Sequence, residues 1–199
     1  MSLASTRLLI YAGLFAVGAT TLAVAYDGPK VSKGKKVFLL GDSLGVGLSR
    51  PLKALASDHQ VEFKSLTKQG TRIDSWSDNE ALFRALSLYK PDLILISLGT
   101  NDEYMKLDAY QRQKPRIEKL RSKLRVYSTV AWSGPPKLPS YGPYKGIKSN
   151  GALRLIREKV PSNFYYPSEK LEIQRAPDQL HATVRGYAVW AQQIWNWIT

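Results

Sequence analysis

The fold is decided by one stretch of the sequence, residues 37–47, which reads VFLLGDSLGVG. It begins with four apolar residues and continues into a turn that contains three glycines. A continuous apolar run that ends at a glycine-rich turn is typical of a strand buried on both faces of a parallel sheet, with a helix after the turn. The stretch therefore predicts an α/β fold whose first strand ends at Gly41.

The rest of the chain repeats this alternation of apolar runs and helical patterns. Further strands are predicted at 61–66, 93–98, 126–132 and 163–166, and helices at 51–56, 80–89 and 117–124. Strands that alternate with helices imply a parallel sheet covered on both faces. We therefore expect a three-layer α/β/α sandwich with a parallel sheet of about five strands, formed by residues 37–199.

Composition and charge limit the class of protein. The chain has 199 residues, 44% of them hydrophobic and 23% charged, which fits one globular domain rather than a disordered chain. It contains no cysteine, so a disulfide scaffold, a thiol nucleophile and a thiolate metal site are excluded. The net charge of +13 favours contact with an anionic polymer or a membrane surface. Because the basic residues are spread along the chain, we expect no specific nucleic-acid partner.

The N-terminal segment, residues 1–25, differs in character from the rest of the chain. Arg7 precedes an uncharged segment at 8–25, which ends in the small-residue pattern AVA. This segment predicts a signal peptide cleaved before Tyr26 or, since its length just reaches that of a short membrane span, an uncleaved anchor. A buried helix is a third interpretation. The first two predict an exported (periplasmic or extracellular) or membrane-anchored domain, joined by a basic tether at 26–36.

Polar residues of catalytic type occur at three places in the predicted fold. Ser43 lies in the turn after the first strand, Asn101 and Asp102 follow the third, and Asp178 and His181 precede a C-terminal amphipathic helix. The carboxyl ends of parallel strands line a crevice in which functional groups gather. A hydroxyl, a histidine base and a carboxylate that orients the histidine are the groups of nucleophilic acyl transfer. We therefore predict a catalytic triad of Ser43, His181 and Asp178.

These residues fall in four blocks that resemble those of the SGNH hydrolases, the superfamily of GDSL esterases and lipases. The blocks are, in chain order, Gly41-Asp42-Ser43-Leu44, Gly70 within Lys68-Gln69-Gly70-Thr71, Gly99-Thr100-Asn101-Asp102, and Asp178-Gln179-Leu180-His181. The resemblance covers residues 37–199 and implies a flavodoxin-like sandwich. It also implies that Ser43 attacks an acyl carbon, that His181 acts as base and then acid, and that Asp178 orients His181.

The resemblance further implies an oxyanion hole. Its donors would be the backbone amides of Ser43 and Gly70 and the side-chain amide of Asn101. An amide at a strand end is a hydrogen-bond donor that takes no part in proton transfer, which independently supports Asn101. Asp42 is implied to be a structural hydrogen-bonding partner. This chemistry uses no metal and no cofactor, and we expect neither.

Other interpretations of single residues stay open at this point. Asp42, Asp102 and Asp178 would be the ligands if the chain were a metallophosphoesterase, although their spacing matches no familiar metal site. The glycine-rich turn lacks the order of a dinucleotide site or a P-loop. His59 fits a solvated turn better than a catalytic role. The segment 133–151 predicts either a loop that overhangs the active site or an irregular surface loop.

The expected activity is hydrolysis of an ester on an acylated small molecule, glycan or lipid. The predicted loops are mostly polar, at 71–72, 102–104 and 139–148, the last with two tyrosines and two lysines. Tyrosines pack on sugar faces and lysines attract anionic polymers, so the loops favour acetyl or short-chain esters on a polysaccharide. A lysophospholipase or thioesterase of the same superfamily is the alternative. A non-catalytic SGNH-like binding module, or a particle-associated one, is the alternative from another class.

Overall fold

A computed structural model of the chain describes residues 28–104, 107–138 and 151–199, with the backbone alone at 107–113. Strands and helices alternate along the described residues. The strands are β1 Lys36–Gly41, β2 Glu62–Thr67, β3 Leu93–Ser97, β4 Thr129–Ser133 and β5 Tyr165–Tyr166. The α-helices are α1 Ser43–Asp58, α2 Asp74–Ser77, α3 Glu80–Tyr89, α4 Thr100–Glu103, α5 Leu107–Arg125, α6 Ala152–Lys159 and α7 Val184–Ile198. Two 3₁₀ turns, Ser162–Phe164 and Ser168–Lys170, flank β5.

The five strands form one parallel sheet in the order β2-β1-β3-β4-β5. This is the flavodoxin-like order, and it confirms the predicted α/β fold. Gly41 at the end of β1 pairs with Thr67 of β2 and Ser97 of β3. The carboxyl ends of these three strands therefore lie side by side. The turns that follow them carry three of the four sequence blocks.

Helices cover both faces of the sheet, because successive side chains of a strand point to opposite sides. On one face Leu39 packs with Leu48 of α1 and Trp190 of α7. On the other face Leu40 packs with the apolar sides of α3 and α5, among them Leu120 of α5. A strand buried on both faces needs a continuous apolar sequence, which is what 37–40 supplies.

Helix α1 is longer than the sequence predicted. The predicted helix at 51–56 is only its C-terminal part, since the helix begins at Ser43. The Asp42 carboxylate accepts a hydrogen bond from Leu44 N at 2.9 Å and caps the helix. An N-cap satisfies one of the free amides of the first turn, so the helix can begin directly after the strand.

The fourth and fifth strands are shorter than predicted. Residues 126–128 are not part of β4, since Tyr127 N and Ser128 N both donate to Leu124 O at the end of α5. Val126 is 82% exposed, so its apolar side chain is not a strand signal. At 163–166 only the last two residues pair with β4, because the first two belong to a 3₁₀ turn.

Residues 28–35 precede β1 without regular secondary structure. Val31 is nevertheless buried, and its backbone N donates to Ile198 O at 2.6 Å, at the C-terminal end of α7. Gly34 N donates to Gln60 O at 2.9 Å. The chain thus enters the domain at the amino end of the sheet, opposite the end where Ser43 lies.

The predicted signal or anchor at 1–25 and most of the predicted loop at 133–151 lie outside the described residues. Within the described ranges, no helix has both the length and the apolar character needed to cross a membrane.

Candidate active site

Ser43 is the first residue of α1 and directly follows the carboxyl end of β1. The turn that carries it is tight, because a Cβ on Gly41 would lie 2.7 Å from Gly45 Cα. Ser43 is half-buried, and within the described chain its backbone N–H donates no hydrogen bond. A hydroxyl and a free amide are therefore presented together at the crevice end of the sheet.

Buried polar groups join the ends of the first three strands. Asn101 Nδ2 donates to Thr71 O at 2.9 Å and, over a longer distance of 3.4 Å, to Asp42 Oδ2. Asp102 Oδ2 accepts from Ile73 N at 3.2 Å. We call Asp42, Thr71, Asn101 and Asp102 the strand-end network. It fixes the turn that carries Ser43 against the turns that carry the second and third blocks.

The two carboxyl groups of this network are almost fully buried, and burial changes their acidity. Burial raises the pKa of Asp42 to about 6, although hydrogen bonds from Leu44 and other backbone amides oppose the rise. Burial likewise raises the pKa of Asp102 to about 7. The charge of His181 also lowers the pKa of Asp42.

Gly70 lies in the turn after β2, at a backbone φ of +72° that favours glycine. The turn is closed by Thr71 Oγ1, which donates to Lys68 O at 2.7 Å. A Cβ at Gly70 would have no atom within 4 Å, so the residue borders open space. In the described part of the chain its backbone N–H has no hydrogen-bond acceptor.

Helix α6 holds the third block from its other side. Gly99 has a φ of +120°, and a Cβ there would lie 2.5 Å from Ile156 Cδ1. Glu103 Oε2 accepts from Leu153 N at 2.8 Å, at the start of α6. Sequence reasoning missed this role of Glu103, because its acceptor group meets a backbone amide far along the chain.

Asp178 and His181 form a compact turn just before α7, which we call the Asp–His turn. Asp178 Oδ1 accepts from Leu180 N at 3.0 Å and from His181 N at 2.9 Å, and its Oδ2 lies 2.6 Å from His181 Nδ1. The hydrogen bond from His181 lowers the pKa of Asp178. Since an ionised carboxylate only accepts, Nδ1 carries the proton. Nε2 then lacks a proton in the neutral ring, and it has no partner among the described residues.

The Asp–His turn is exposed but braced by Arg175, which sequence reasoning also missed. Its guanidinium donates to Leu180 O within the turn and to Lys137 O, the latter at 2.5 Å, in the segment after β4. Arg175 also forms an antiparallel bridge with Ala182. Its acceptors are backbone carbonyls, which leave no trace in the sequence.

The structure brings some of the predicted residues together and leaves others apart. His181 bonds to Asp178, and Asn101 bonds to Asp42, but within the described residues His181 and the Ser43 hydroxyl share no hydrogen bond. Tyr187 of α7 lies against Gly47 of α1. Burial is the main reason that its pKa is raised to about 12, and the charges of Asp42 and Asp178 contribute to the rise.

The residues considered for other roles, His59 and the three aspartates of a metal site, do not form one cluster. His59 lies at the C-terminal end of α1, where Nδ1 contacts Leu55 O at 2.8 Å. Asp42 and Asp102 are buried, whereas the side chain of Asp178 is 48% exposed. Among the residues with described side chains, no three histidines or carboxylates are grouped as metal ligands would be.

No protein-family model matches the chain, and no curated protein is similar to it in sequence. Several solved structures, however, are similar to this chain in fold. An acetylxylan esterase from Geobacillus stearothermophilus has a TM-score of 0.62 at 15% identity, with 85% of this chain and 96% of that chain covered. A lipase/acylhydrolase from Enterococcus faecalis gives 0.60 at 17%, with 81% and 94% covered. An α/β hydrolase from the metagenome of Lake Arreo, Spain, gives 0.59 at 14%, with 84% and 96% covered. The chain therefore shares the α/β fold of these three hydrolases.

Proposed function

We propose that this chain is an ester hydrolase in which Ser43 is the nucleophile, His181 the general base and Asp178 the residue that orients His181. The observation that carries the proposal is the 2.6 Å hydrogen bond between His181 Nδ1 and Asp178 Oδ2. This bond leaves Nε2 free to take a proton, as a triad histidine must. The effect of His181 on the pKa of Asp42, next to Ser43, supports its approach to the nucleophile.

In the proposed reaction Ser43 Oγ attacks the acyl carbon while its proton moves to His181 Nε2. The same nitrogen then protonates the leaving alcohol oxygen, and an acyl-enzyme remains. Water, deprotonated by Nε2, attacks the acyl-enzyme, and the proton returns to Ser43 as the carboxylic acid leaves. Asp178 stays ionised and stabilises the imidazolium.

The proposed oxyanion donors are the amides of Ser43 and Gly70 and the side chain of Asn101. The first two support the assignment because they donate no hydrogen bond within the described chain. Asn101 Nδ2 is already engaged, and it would exchange its 3.4 Å bond to Asp42 for one to the oxyanion. Its shorter bond to Thr71 keeps the amide oriented, so the donor is preorganised.

The test uses the full chain and a short-chain aryl ester. We expect hydrolysis by the wild type, no hydrolysis by Ser43→Ala, and a covalent adduct of a fluorophosphonate at Ser43 by mass spectrometry. His181→Ala should abolish the adduct as well, because the hydroxyl then lacks its base. Activity that survives Ser43→Ala, or that is lost with a chelator, would contradict the mechanism.

For the substrate we propose an acetyl or other short-chain ester on a carbohydrate. A cavity of about 580 Å³ lies beside the third block, and Leu153, which would contact a Cβ at Gly99, is one of its walls. Its other walls include the Tyr165 ring and the side chains of Arg154, Arg157, Glu158 and Glu169, which offer apolar stems as well as charged ends. An aromatic ring beside groups that form hydrogen bonds suits a sugar ring. One of the similar structures is an acetylxylan esterase, which supports the same choice.

A series of acetyl, butyryl, octanoyl and palmitoyl esters tests this substrate. We expect kcat/KM to be highest for the shortest chains and acetate to be released from acetylated cell-wall glycans. A kcat/KM that rises steadily up to palmitoyl, without acetate release, would favour the lysophospholipase or thioesterase alternative.

We also propose that the domain acts outside the cytoplasm, released or tethered by the segment at 8–25. The docking of Val31 at the amino end of the sheet supports this arrangement, because the crevice with Ser43 then faces away from the tether. N-terminal sequencing of protein from its native source separates the cases. Tyr26 as first residue indicates cleavage, and an intact Met1 or Ser2 in a membrane fraction indicates an anchor. Full-length protein in the soluble cytosol would contradict both.

A further inference from the structure

A second concave surface lies along the free edge of the sheet, away from the candidate active site. It is a cavity of about 550 Å³ with the edge strand β2 as its floor, with α1 on one face of the sheet and α3 on the other. We call it the β2-edge groove. No residue of the triad or of the strand-end network lines it.

Three cations line this groove: Arg50 and Lys53 from α1 and Lys64 from β2. Within residues 28–104, 107–138 and 151–199, no carboxylate forms an ion pair with any of them. Lys64 instead lies 4.6 Å from the centre of the Tyr89 ring. The nearby Glu62 on the same strand is paired with Lys36 at 3.6 Å. The groove therefore carries uncompensated positive charge.

The cations of α5 differ from those of the groove, because they are paired with carboxylates. Lys119 and Lys123 both bind Asp78, at 2.5 and 2.6 Å, and Arg116 binds Asp74 at 2.8 Å. Single exposed lysines without an ion pair among the described residues also occur outside the groove, as at Lys30 and Lys170, but here three cations line one concave surface. Their combined charge makes the groove complementary to an anion.

The groove has apolar side chains on both sides of β2 and hydroxyl groups at its rim. Phe63 is half-buried on the side of α1, and Leu66 is half-buried on the opposite side, where Ala85 of α3 also lies. Ser49 and Ser65 add hydroxyls at the rim. Aromatic and aliphatic side chains pack against the faces of sugar rings, and hydroxyls exchange hydrogen bonds with them. Cations above such a floor match a sugar chain that carries negative groups.

The groove leads toward the candidate active site. Arg50 and Lys53 follow Ser43 on the same helix, about 10 and 15 Å along its axis. The floor strand β2 ends at Thr67, directly before the turn with Gly70. A polymer that lies in the groove can therefore continue over the end of β2 to Ser43.

We infer that the β2-edge groove binds an acidic polysaccharide and holds the polymer while an ester on it reaches Ser43. The inference has two parts. The presentation of the ester to Ser43 rests on the proposed function, whereas the binding of the polymer does not. The charges bind the anionic groups, the apolar floor binds the sugar faces, and the triad acts on the acyl group.

The binding test uses the full chain with polygalacturonate as the acidic glycan and dextran as the neutral one. The groove variant Arg50→Gln/Lys53→Gln/Lys64→Gln should bind polygalacturonate about tenfold more weakly or worse, because three charge contacts are lost. The control variant Lys30→Gln/Lys33→Gln/Lys170→Gln removes the same charge from exposed, unpaired positions outside the groove. It should bind within about twofold of the wild type.

Two results would overturn the inference. Equal weakening in both variants would mean that binding follows net charge and not the groove. Loss of binding to phosphatidylglycerol vesicles in the groove variant, with polygalacturonate binding unchanged, would mean that the surface contacts a membrane.

A kinetic test separates this inference from the proposed function. The groove variant should hydrolyse an aryl acetate like the wild type and deacetylate acetylated xylan, a neutral polymer, with unchanged KM. Its KM for acetylated polygalacturonate should rise about tenfold with kcat unchanged. An unchanged KM there would overturn the presentation of the ester. Absence of esterase activity in the wild type would contradict the proposed function while the binding result still decides on the groove.

Discussion

The strand-end network and the Asp–His turn both carry residues of the candidate active site, but different forces hold them. The network is buried, and its hydrogen bonds join residues 29 to 59 positions apart in the chain. The turn is half-exposed, and its own bonds join residues two or three positions apart. The network is therefore a product of the whole fold, whereas the turn is a local structure placed on its surface. Substitutions in the Asp–His turn should therefore lower activity without lowering stability, whereas substitutions in the strand-end network should lower both.

The largest expected effect is loss of activity without loss of stability at the turn. His181→Ala should lower kcat for an aryl ester by about 10⁴ or more, since the general base is removed. The temperature of unfolding should change little, because the side chain is 35% exposed and its only hydrogen bond within the described residues is to Asp178 of its own turn. His59→Ala is the matched control, and it should keep full activity. A large fall in the melting temperature of His181→Ala would contradict the separation.

The next effect concerns the pH dependence of stability. Burial raises the pKa of Asp102 from an ordinary 3.8 to about 7, so between these values the folded state binds a proton that the unfolded state releases. The free energy of unfolding therefore falls as the pH rises from 4 to 7. A pKa about three above its usual value corresponds to ~4 kcal/mol. Asp102→Asn should reduce this fall in urea unfolding curves measured from pH 4 to 8 and leave the part that is due to Asp42, whose pKa is raised to about 6.

Asp178→Asn sharpens the same comparison. The pKa of Asp178 is lowered, so its contribution to stability has the opposite sign and is lost on acidification. In the Asp178→Asn variant the free energy of unfolding should still fall between pH 4 and 7. An equal fall in wild type and Asp102→Asn would show that the buried carboxyl does not titrate as proposed.

Asn101→Ala should lower activity and stability together. Loss of one oxyanion donor costs about 10²–10³ in kcat, and loss of the bond to Thr71 costs roughly 1–3 kcal/mol of unfolding free energy. Asn79→Ala is a matched control, because Asn79 caps α3 through a 2.9 Å bond from Leu82 N. It should cost about 1 kcal/mol with unchanged kcat. Asn101→Ala with full activity would remove Asn101 from the proposed oxyanion hole.

The smallest effect is expected at Arg175, which braces the turn from outside. Arg175→Met should lower kcat about tenfold, with KM nearly unchanged, because the histidine is less well positioned. Arg175→Lys should recover part of the loss, since one donor can still reach a carbonyl. Arg185→Met removes an exposed arginine at the start of α7 and serves as control. Equal activities of all three variants would show that the turn needs no brace.

The elements that the sequence predicts are those with a strong local pattern. The strands at 37–40 and 93–98 were predictable because burial on both faces demands an unbroken apolar run. The turn with Ser43 was predictable because a parallel sheet exposes its functional loops at the strand ends. The start of α1 was not, since an aspartate before a serine indicates a turn as readily as a helix cap.

Long-range contacts to backbone groups were beyond sequence reasoning. Arg175 meets carbonyl groups of Leu180 and Lys137, and Glu103 meets the amide of Leu153. Any residue type supplies such an amide or carbonyl, so the partner leaves no signal in the sequence. The raised pKa of Asp102 has the same origin, because it depends on burial by residues from several strands and helices.

The entry of the chain beside the end of α7 decides how the domain carries a mechanical load. Tension on the N-terminal segment reaches Val31 and its bond to Ile198 before it reaches β1. β1 lies between β2 and β3, so a pull along it shears two ladders of hydrogen bonds at once instead of peeling one edge strand. The load therefore enters at the amino end of the sheet. Ser43 and Asn101 lie at the opposite end, beyond the carboxyl ends of β1 and β3.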